Sequence, residues 1–204
     1  DKHPSGNIEL IDIDVSSDAS VLAAAESLKT KGVTLYALVN NAGVGFKTGI
    51  DVKGLLEVNF YGPKRCSDAF LPLLDKENGR IVNVSSGAAS MWLRHESKET
   101  KDLFTSADIS WDQLAASVDK AAPSASMGGY GVSKAGLCAL TLQQSKQYPN
   151  LICTSLSPGF IDTAMTRGYG AKLTPEEGTV SLMKCLFGNV TSGFYYGSDG
   201  LRSP

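Results

Sequence analysis

Leu35-Tyr36-Ala37-Leu38-Val39 is apolar along nearly its whole length instead of at every second position. A strand with one wet face alternates, whereas a near-continuous apolar run marks a strand covered on both faces. Ile81-Val82-Asn83-Val84 reads the same way, and comparable short, β-branched runs occupy 8–15, 151–156 and 193–196. Longer stretches with helical spacing lie between them, at 18–31, 54–74, 130–148 and 175–187. Strands separated by helices specify βα units, so the expected fold class is α/β, a doubly wound parallel sheet. Ser16 or Ser17 before Asp18 supplies a helix cap, because a side-chain oxygen accepts from the free first-turn amides. Thr174-Pro175-Glu176-Glu177 places a cap, a first-turn proline and two acids at a positive helix end.

One stretch breaks the rhythm. Residues 90–127 contain no convincing strand, yet they carry Trp92, Phe104, Trp111, Leu114 and Val118. Ser110-Trp111-Asp112-Gln113-Leu114, with Ala115 and Val118, predicts a short helix, and 121–129, rich in Pro, Ser and Gly, predicts a loop. A connection of this length inside a compact domain is commonly functional.

The chain has 204 residues, 42% of them hydrophobic and 20% charged, which suits one soluble globular domain. A formal net charge of −2 gives no basis for nucleic acid or an anionic membrane as partner. No apolar run approaches the roughly 18 residues that span a bilayer. Cys66, Cys138, Cys153 and Cys185 are scattered, with no Cys-x-x-Cys and no grouping with His3 or His95. Reduced thiols in a cytoplasmic protein without a metal site are therefore expected. The Asn-x-Ser/Thr sequences at Asn83 and Asn189 are read as accidental. The chain opens on Asp1 without an initiator Met, which suggests a fragment or a processed product.

Chemistry concentrates at Gly129-Tyr130-Gly131-Val132-Ser133-Lys134. Four residues apart on a helix, Tyr130 and Lys134 share a face. A phenol titrates at about 10, and a neighbouring cation lowers that by roughly 1–3, giving an acid–base unit usable near neutrality. By itself the pair would equally suit an exposed helix.

Taken together, the motifs resemble the short-chain dehydrogenase/reductase family. Asn40-Asn41-Ala42-Gly43 follows a strand, Asn59 lies in Val58-Asn59-Phe60-Tyr61-Gly62, and Ser86 is the second serine of Asn83-Val84-Ser85-Ser86. Tyr130 and Lys134 come next, then Ser157-Pro158-Gly159 and Thr163, in the family's order. The resemblance implies a catalytic set of Asn59, Ser86, Tyr130 and Lys134. Tyr130 is implied as proton donor to a carbonyl oxygen, with Lys134 lowering its pKa and bonding the nicotinamide ribose. Ser86, with Ser85 as the competing position, is implied to hydrogen-bond the same oxygen, and Asn59 to hold a water leading to solvent. Cofactor contacts are implied for Asp14, Asn40, Ala42, Gly43, Tyr130, Lys134, Pro158, Gly159, Ile161 and Thr163. Asp14 would look the same as a helix-capping acid. The segment 160–172, with Met165 and Tyr169, is expected to cover the substrate, and Met91 and Trp92 to be pocket wall or core.

The long 90–127 segment, with Asp12-Ile13-Asp14, Asn41-Ala42-Gly43-Val44-Gly45-Phe46-Lys47, Asn59-Phe60-Tyr61-Gly62 and Pro175-Glu176-Glu177-Gly178, resembles the carbonyl-reductase-like branch. That resemblance implies a monomer that reduces a small-molecule ketone, aldehyde or quinone with NADPH, NAD remaining open. The expected organisation is a single, partial Rossmann-like domain over 1–204 with a helical insertion at about 90–127. The family's Gly-rich phosphate turn is not in this sequence, and 8–15 resembles the family's third strand, so the first two strands are expected to be missing. Gly43-Val44-Gly45 and Gly128-Gly129-Tyr130-Gly131 lack the spacing of that turn. The alternatives are a non-catalytic truncated relative that binds a partner and, less compatible with the Asn40–Gly43 motif, an extended-branch epimerase or dehydratase.

Overall fold

The computed structural model describes residues 8–45 and 49–203. His3, and Phe46-Lys47 of the branch motif, lie outside the described residues. Four parallel strands lie side by side in chain order: β1 (Ala37–Asn40), β2 (Arg80–Val84), β3 (Ile152–Leu156) and β4 (Tyr195–Tyr196). A short β5 (Arg202–Ser203) runs antiparallel to β4. Helix α1 (Asp18–Thr30) precedes β1. The first crossover holds α2 (Val52–Leu56), a π-helical turn (Glu57–Tyr61) and α3 (Gly62–Phe70). The second holds α4 (Gly87–Arg94), α5 (Lys98–Phe104), α6 (Trp111–Ala121) and α7 (Tyr130–Gln147), and α8 (Val180–Phe187) makes the third.

Both faces of the sheet are covered, as the near-continuous apolar strands require. Val82 and Val84 meet Leu156, Tyr196 and Cys185 of α8 on one face. Asn83, between them, points the other way and donates to Thr141 and Gln144 of α7, each at 2.9 Å. Its Oδ1 accepts from Asn40 at 2.8 Å, and Asn40 also donates to Ser67 at 3.2 Å. Asn83 is wholly buried, which accounts for its place in an apolar strand and excludes it as a glycan acceptor.

The largest apolar cluster joins α2, the π turn and α4 to α7: Leu55, Phe60, Trp92, Leu114, Val118 and Leu137 are all buried in it. Helices α4, α5 and α6 all pack against α7. Ser110 and Gln113 close a reciprocal capping box at α6, where the sequence predicts a helix. Helices α4 and α5 are additions to the sequence reading. Each is short and starts from a serine cap, Ser86 and Ser97, with too few apolar turns for periodicity to register.

Two predicted elements differ. The segment 8–15 forms no ladder, and Leu10 is 93% exposed. A strand needs a neighbour for its backbone donors and acceptors, and among the described residues no strand lies beside it or beside the outer edge of β1. It is held instead by Arg65, which donates to the Val15 carbonyl at 2.6 Å and pairs with Asp18 and Glu57. The predicted helix at 54–74 is divided, because Pro63 cannot donate to the Asn59 carbonyl one turn back and the chain takes a π turn there.

Gly136 sits where α7 crosses this core. A β-carbon there would stand 2.8 Å from Val118 Cγ2 and 2.9 Å from the Phe60 ring, both fully buried. Gly136→Ala gains up to about 1 kcal/mol of helix propensity but overpacks a core at a cost of about 1–3 kcal/mol. We expect a net loss of about 1–2 kcal/mol in urea unfolding; equal or greater stability would contradict this packing.

Candidate active site

Ser85 and Ser86 leave β2 at the carboxyl end of the parallel sheet, where ligands bind in open α/β folds. Their roles separate cleanly. Ser85 turns inward, donating to the Lys134 carbonyl at 2.9 Å and accepting from Cys138 Sγ at 3.2 Å. Ser86 caps α4, accepting from the Ala88 amide at 3.2 Å, and its hydroxyl also bonds the Tyr130 phenol. Of the two serines, Ser86 is the one brought to the tyrosine.

Tyr130 opens α7 directly after a left-handed run, Met127 (φ 57°), Gly128 (φ 59°) and Gly129 (φ 83°). One turn on, Lys134 is buried, with its ammonium 5.8 Å from the Tyr130 ring centre and donating to the Val84 carbonyl at 2.9 Å. Burial lowers the Lys134 pKa to about 8. Burial also pushes the Tyr130 phenol above its ordinary value, and the Ser86 bond opposes that rise. This corrects the expectation that Lys134 depresses the phenol: desolvation sets the direction, and the ammonium is directed at the Val84 carbonyl. Tyr195, which no motif singles out, hydrogen-bonds Ser157 and has its pKa pushed up to about 12 by burial, with Tyr130 a lesser contributor. Its position follows from the pairing of β4 with β3, a long-range register that spacing does not encode.

Asn59 lies on the π turn, fully buried, and its amide grips the loop after β1 at both ends. Its Nδ2 donates to the Val44 carbonyl at 2.9 Å, and its Oδ1 accepts from the Val44 amide at 2.8 Å. The side chain is thus engaged by the loop after β1. Gly43 threads between: a β-carbon on it would stand 3.3 Å from Asn59 Oδ1 and 3.6 Å from Lys134 Nζ. Ala42 is exposed beside it, while the Asn40 side chain is committed to the buried chain through Asn83. Asp14 is exposed at the turn into α1, accepting from the Ser16 amide at 2.9 Å and its hydroxyl at 2.6 Å, which holds its carboxyl below the usual range.

Across the sheet end, Ser157, Pro158 and Gly159 turn out of β3, with Ser157 accepting from the Gly159 amide at 3.2 Å. Ile161 is held by a bridge to Leu173, and Thr163 is exposed, its amide donating to Thr166 at 2.9 Å. Met165 packs on the loop after β1, its Cγ 2.9 Å from where a β-carbon of Gly45 would be. The segment 160–172 therefore reaches back over that loop. Asn59, Ser86, Tyr130 and Lys134 converge with Gly43, whereas Asp14 stands apart at the start of α1. Among the described residues no group of His, Cys, Asp or Glu could hold a metal, and no helix is long and apolar enough to cross a membrane.

The short chain dehydrogenase model matches residues 1–98. (+)-Neomenthol dehydrogenase of Arabidopsis thaliana is 31% identical, over 83% of this chain and 69% of its own length. The chain belongs to the short-chain dehydrogenase/reductase family. Within that family of NAD(P)-dependent oxidoreductases it falls in the carbonyl-reductase-like branch. Carbonyl reductase [NADPH] 1 of Bos taurus is 29% identical over 81% of this chain and 67% of its own. The solved salutaridine reductase of Papaver somniferum superposes with a TM-score of 0.75 at 25% identity, covering 90% of this chain and 80% of that one.

The buried amine has a measurable consequence for a family member of this geometry. The folded protein releases the Lys134 proton near pH 8, and the unfolded chain near 10.5. Between those values the unfolded chain binds more protons, so stability rises with pH, and the burden of the buried ammonium is fully present only below 8. Relative to Lys134→Met, the cofactor-free protein should gain about 3 kcal/mol of unfolding free energy from pH 7.5 to 10.5. A flat difference would show that Lys134 is not buried as an ammonium.

Proposed function

We propose that the protein reduces a carbonyl compound, a ketone, aldehyde or quinone, to the alcohol, with NADPH as reductant. One observation carries this reading: the Tyr130 phenol, the Ser86 hydroxyl and the Lys134 ammonium meet at the carboxyl end of the sheet. The names of the carbonyl and neomenthol relatives support the substrate class, and the bovine relative's name supports NADPH. The bared backbone at Gly43, beside Asn59 and Lys134, suits the close approach of a flat cofactor. Pro158, Gly159, Ile161 and Thr163 flank the same sheet end and would hold its nicotinamide half, while Ala42 would pass close to its adenosine half. A bound nicotinamide cofactor supplies hydride to the carbonyl carbon.

The residues of this chain do the rest. Ser86 and Tyr130 both donate to the carbonyl oxygen, stabilising the negative charge that develops there. Tyr130 then gives up its phenolic proton to that oxygen. Its raised pKa keeps the phenol protonated through the neutral range, the state a proton donor needs. Lys134, beside the ring, stabilises the phenolate that forms. An intact set of this kind favours catalysis over the binding-only alternative.

In the full protein, Tyr130→Phe should lower turnover of a reducible quinone by about 100-fold or more with NADPH affinity kept within about threefold. Turnover within a few-fold of the unsubstituted protein would reject Tyr130 as the donor.

A further inference from the structure

The strands lie in the order β1, β2, β3, so a segment that leaves β3 and touches the loop after β1 must cross the carboxyl end of β2. Adjacent strands are about 4.8 Å apart, which makes that crossing about 10 Å wide. The segment 160–172 makes it: it follows the 157–159 turn out of β3, and Met165 packs against Gly45 beyond β1. At the end of β2, Val84 receives the Lys134 ammonium, and Ser86, bonded to Tyr130, comes two residues later. Gly45 is itself two residues from Gly43, whose β-carbon position is 3.6 Å from Lys134 Nζ. The segment is therefore a strap across the groups of the proposed reaction.

Its two ends are clipped together. The Asp162 amide donates to the Leu173 carbonyl at 2.8 Å, and the Leu173 amide donates to the Phe160 carbonyl at 3.3 Å. The Ile161 side chain fills the space over Gly178. Further out, the Thr166 amide donates to the Thr163 carbonyl at 3.1 Å, and the Thr166 carbonyl accepts from the Tyr169 amide at 3.0 Å. A loop with joined ends and bonds of its own is compact and moves as a unit. The Met165 contact anchors it at the far side. A β-carbon on Gly45 would stand 2.9 Å from Met165 Cγ and 3.4 Å from its sulfur. Gly45 lies outside the left-handed region, so its dihedrals do not require glycine, and what glycine supplies there is room. The loop beneath is fixed, because Asn59 grips Val44 at both its amide and its carbonyl. Met165 stays 45% exposed. A contact with so little buried apolar surface opens locally, without unfolding the rest.

We infer that Gly45 and Met165 are a matched latch: the bare backbone of one seats the thioether of the other, and release of this contact sets how fast a nicotinamide cofactor leaves the site. Loops that cover a site often limit turnover through ligand release. The gating role rests on the proposed cofactor reading, whereas the latch contact itself is tested below without cofactor or turnover.

Three variants of the full protein test this: Met165→Ala, Gly45→Ala and the double substitution. NADPH dissociation is followed by stopped-flow loss of nicotinamide fluorescence on mixing with excess NADP. Opening of the strap without cofactor is followed by the rate of trypsin cleavage after Arg167, which is exposed on it. Each single substitution should raise both rates about fivefold, one by losing the contact and the other by wedging it apart. The double variant should match Met165→Ala alone, because the β-carbon added at 45 no longer meets Cγ and sulfur at 165. Unchanged NADPH dissociation in Met165→Ala, with or without faster cleavage, would overturn the inference. So would a double variant in which the two effects multiply. Failure of NADPH to bind the unsubstituted protein would sink the cofactor reading and the gating role with it, whereas trypsin rates unmoved by either substitution would sink the latch alone.

Discussion

The bond from the Lys134 ammonium to the Val84 carbonyl holds this site together. Val84 is the last residue of β2, where the ladder ends, and its carbonyl accepts from Lys134. By accepting from Lys134 it ties α7 to the sheet at the point where Ser86 leaves one element and Tyr130 opens the other. The Ser85 hydroxyl strengthens the same junction from the opposite side, donating back to the Lys134 carbonyl. An ammonium taken out of water is costly unless it is hydrogen-bonded, and its depressed pKa records that cost. The amine is kept next to a phenol whose own burial holds its proton in place.

Beneath this junction the α7 face of the sheet is polar. Ser67, Asn40, Asn83, Thr141 and Gln144 form one chain of hydrogen bonds through four elements, α3, β1, β2 and α7. Satisfied buried polar groups fix geometry more sharply than apolar contacts, because any slip strands a donor. Gln144 Nε2 is the one weak link of that chain, buried without a protein partner among the described residues. The apolar clamp of Phe60, Trp111 and Tyr61, with the Tyr61 hydroxyl on Asp119 at 2.8 Å, locks α6 to the π turn and α3. Asn59 is fixed by that clamp from below and by Val44 from above, so the loop carrying Gly43 is positioned from the helix layer.

The sheet was legible because burial on both faces writes itself into β2 and β3 residue by residue. The expected strand at 80–84 matches the observed one, and that at 151–156 differs by one residue. The segment 8–15 misled because composition reports the ability to pair, while a ladder depends on a neighbour. Helices α4 and α5 escaped because two-turn helices carry too little periodicity. At the site, spacing along α7 placed Tyr130 and Lys134 correctly, and the tandem serines narrowed the hydroxyl to two positions. Choosing between them needed the turn after β2, which sends Ser85 to the Lys134 carbonyl and Ser86 to the phenol. The direction of the phenol's pKa was not legible at all: spacing reveals a nearby cation but neither the depth of burial nor the carbonyl at which that cation is directed. Asn40 and Asn59 were visible as motif residues, yet their side chains serve the scaffold through partners far apart in sequence.

The contact of Ser86 with Tyr130 is tested most directly by titrating the Tyr130 ring carbon by NMR in tyrosine-labelled, cofactor-free protein, with and without Ser86→Ala. Burial predicts a phenol that titrates above its ordinary value of about 10. Removing the Ser86 hydroxyl, which stabilises the phenolate, should raise it further. A Tyr130 pKa below 10, or one indifferent to Ser86→Ala, would contradict the account.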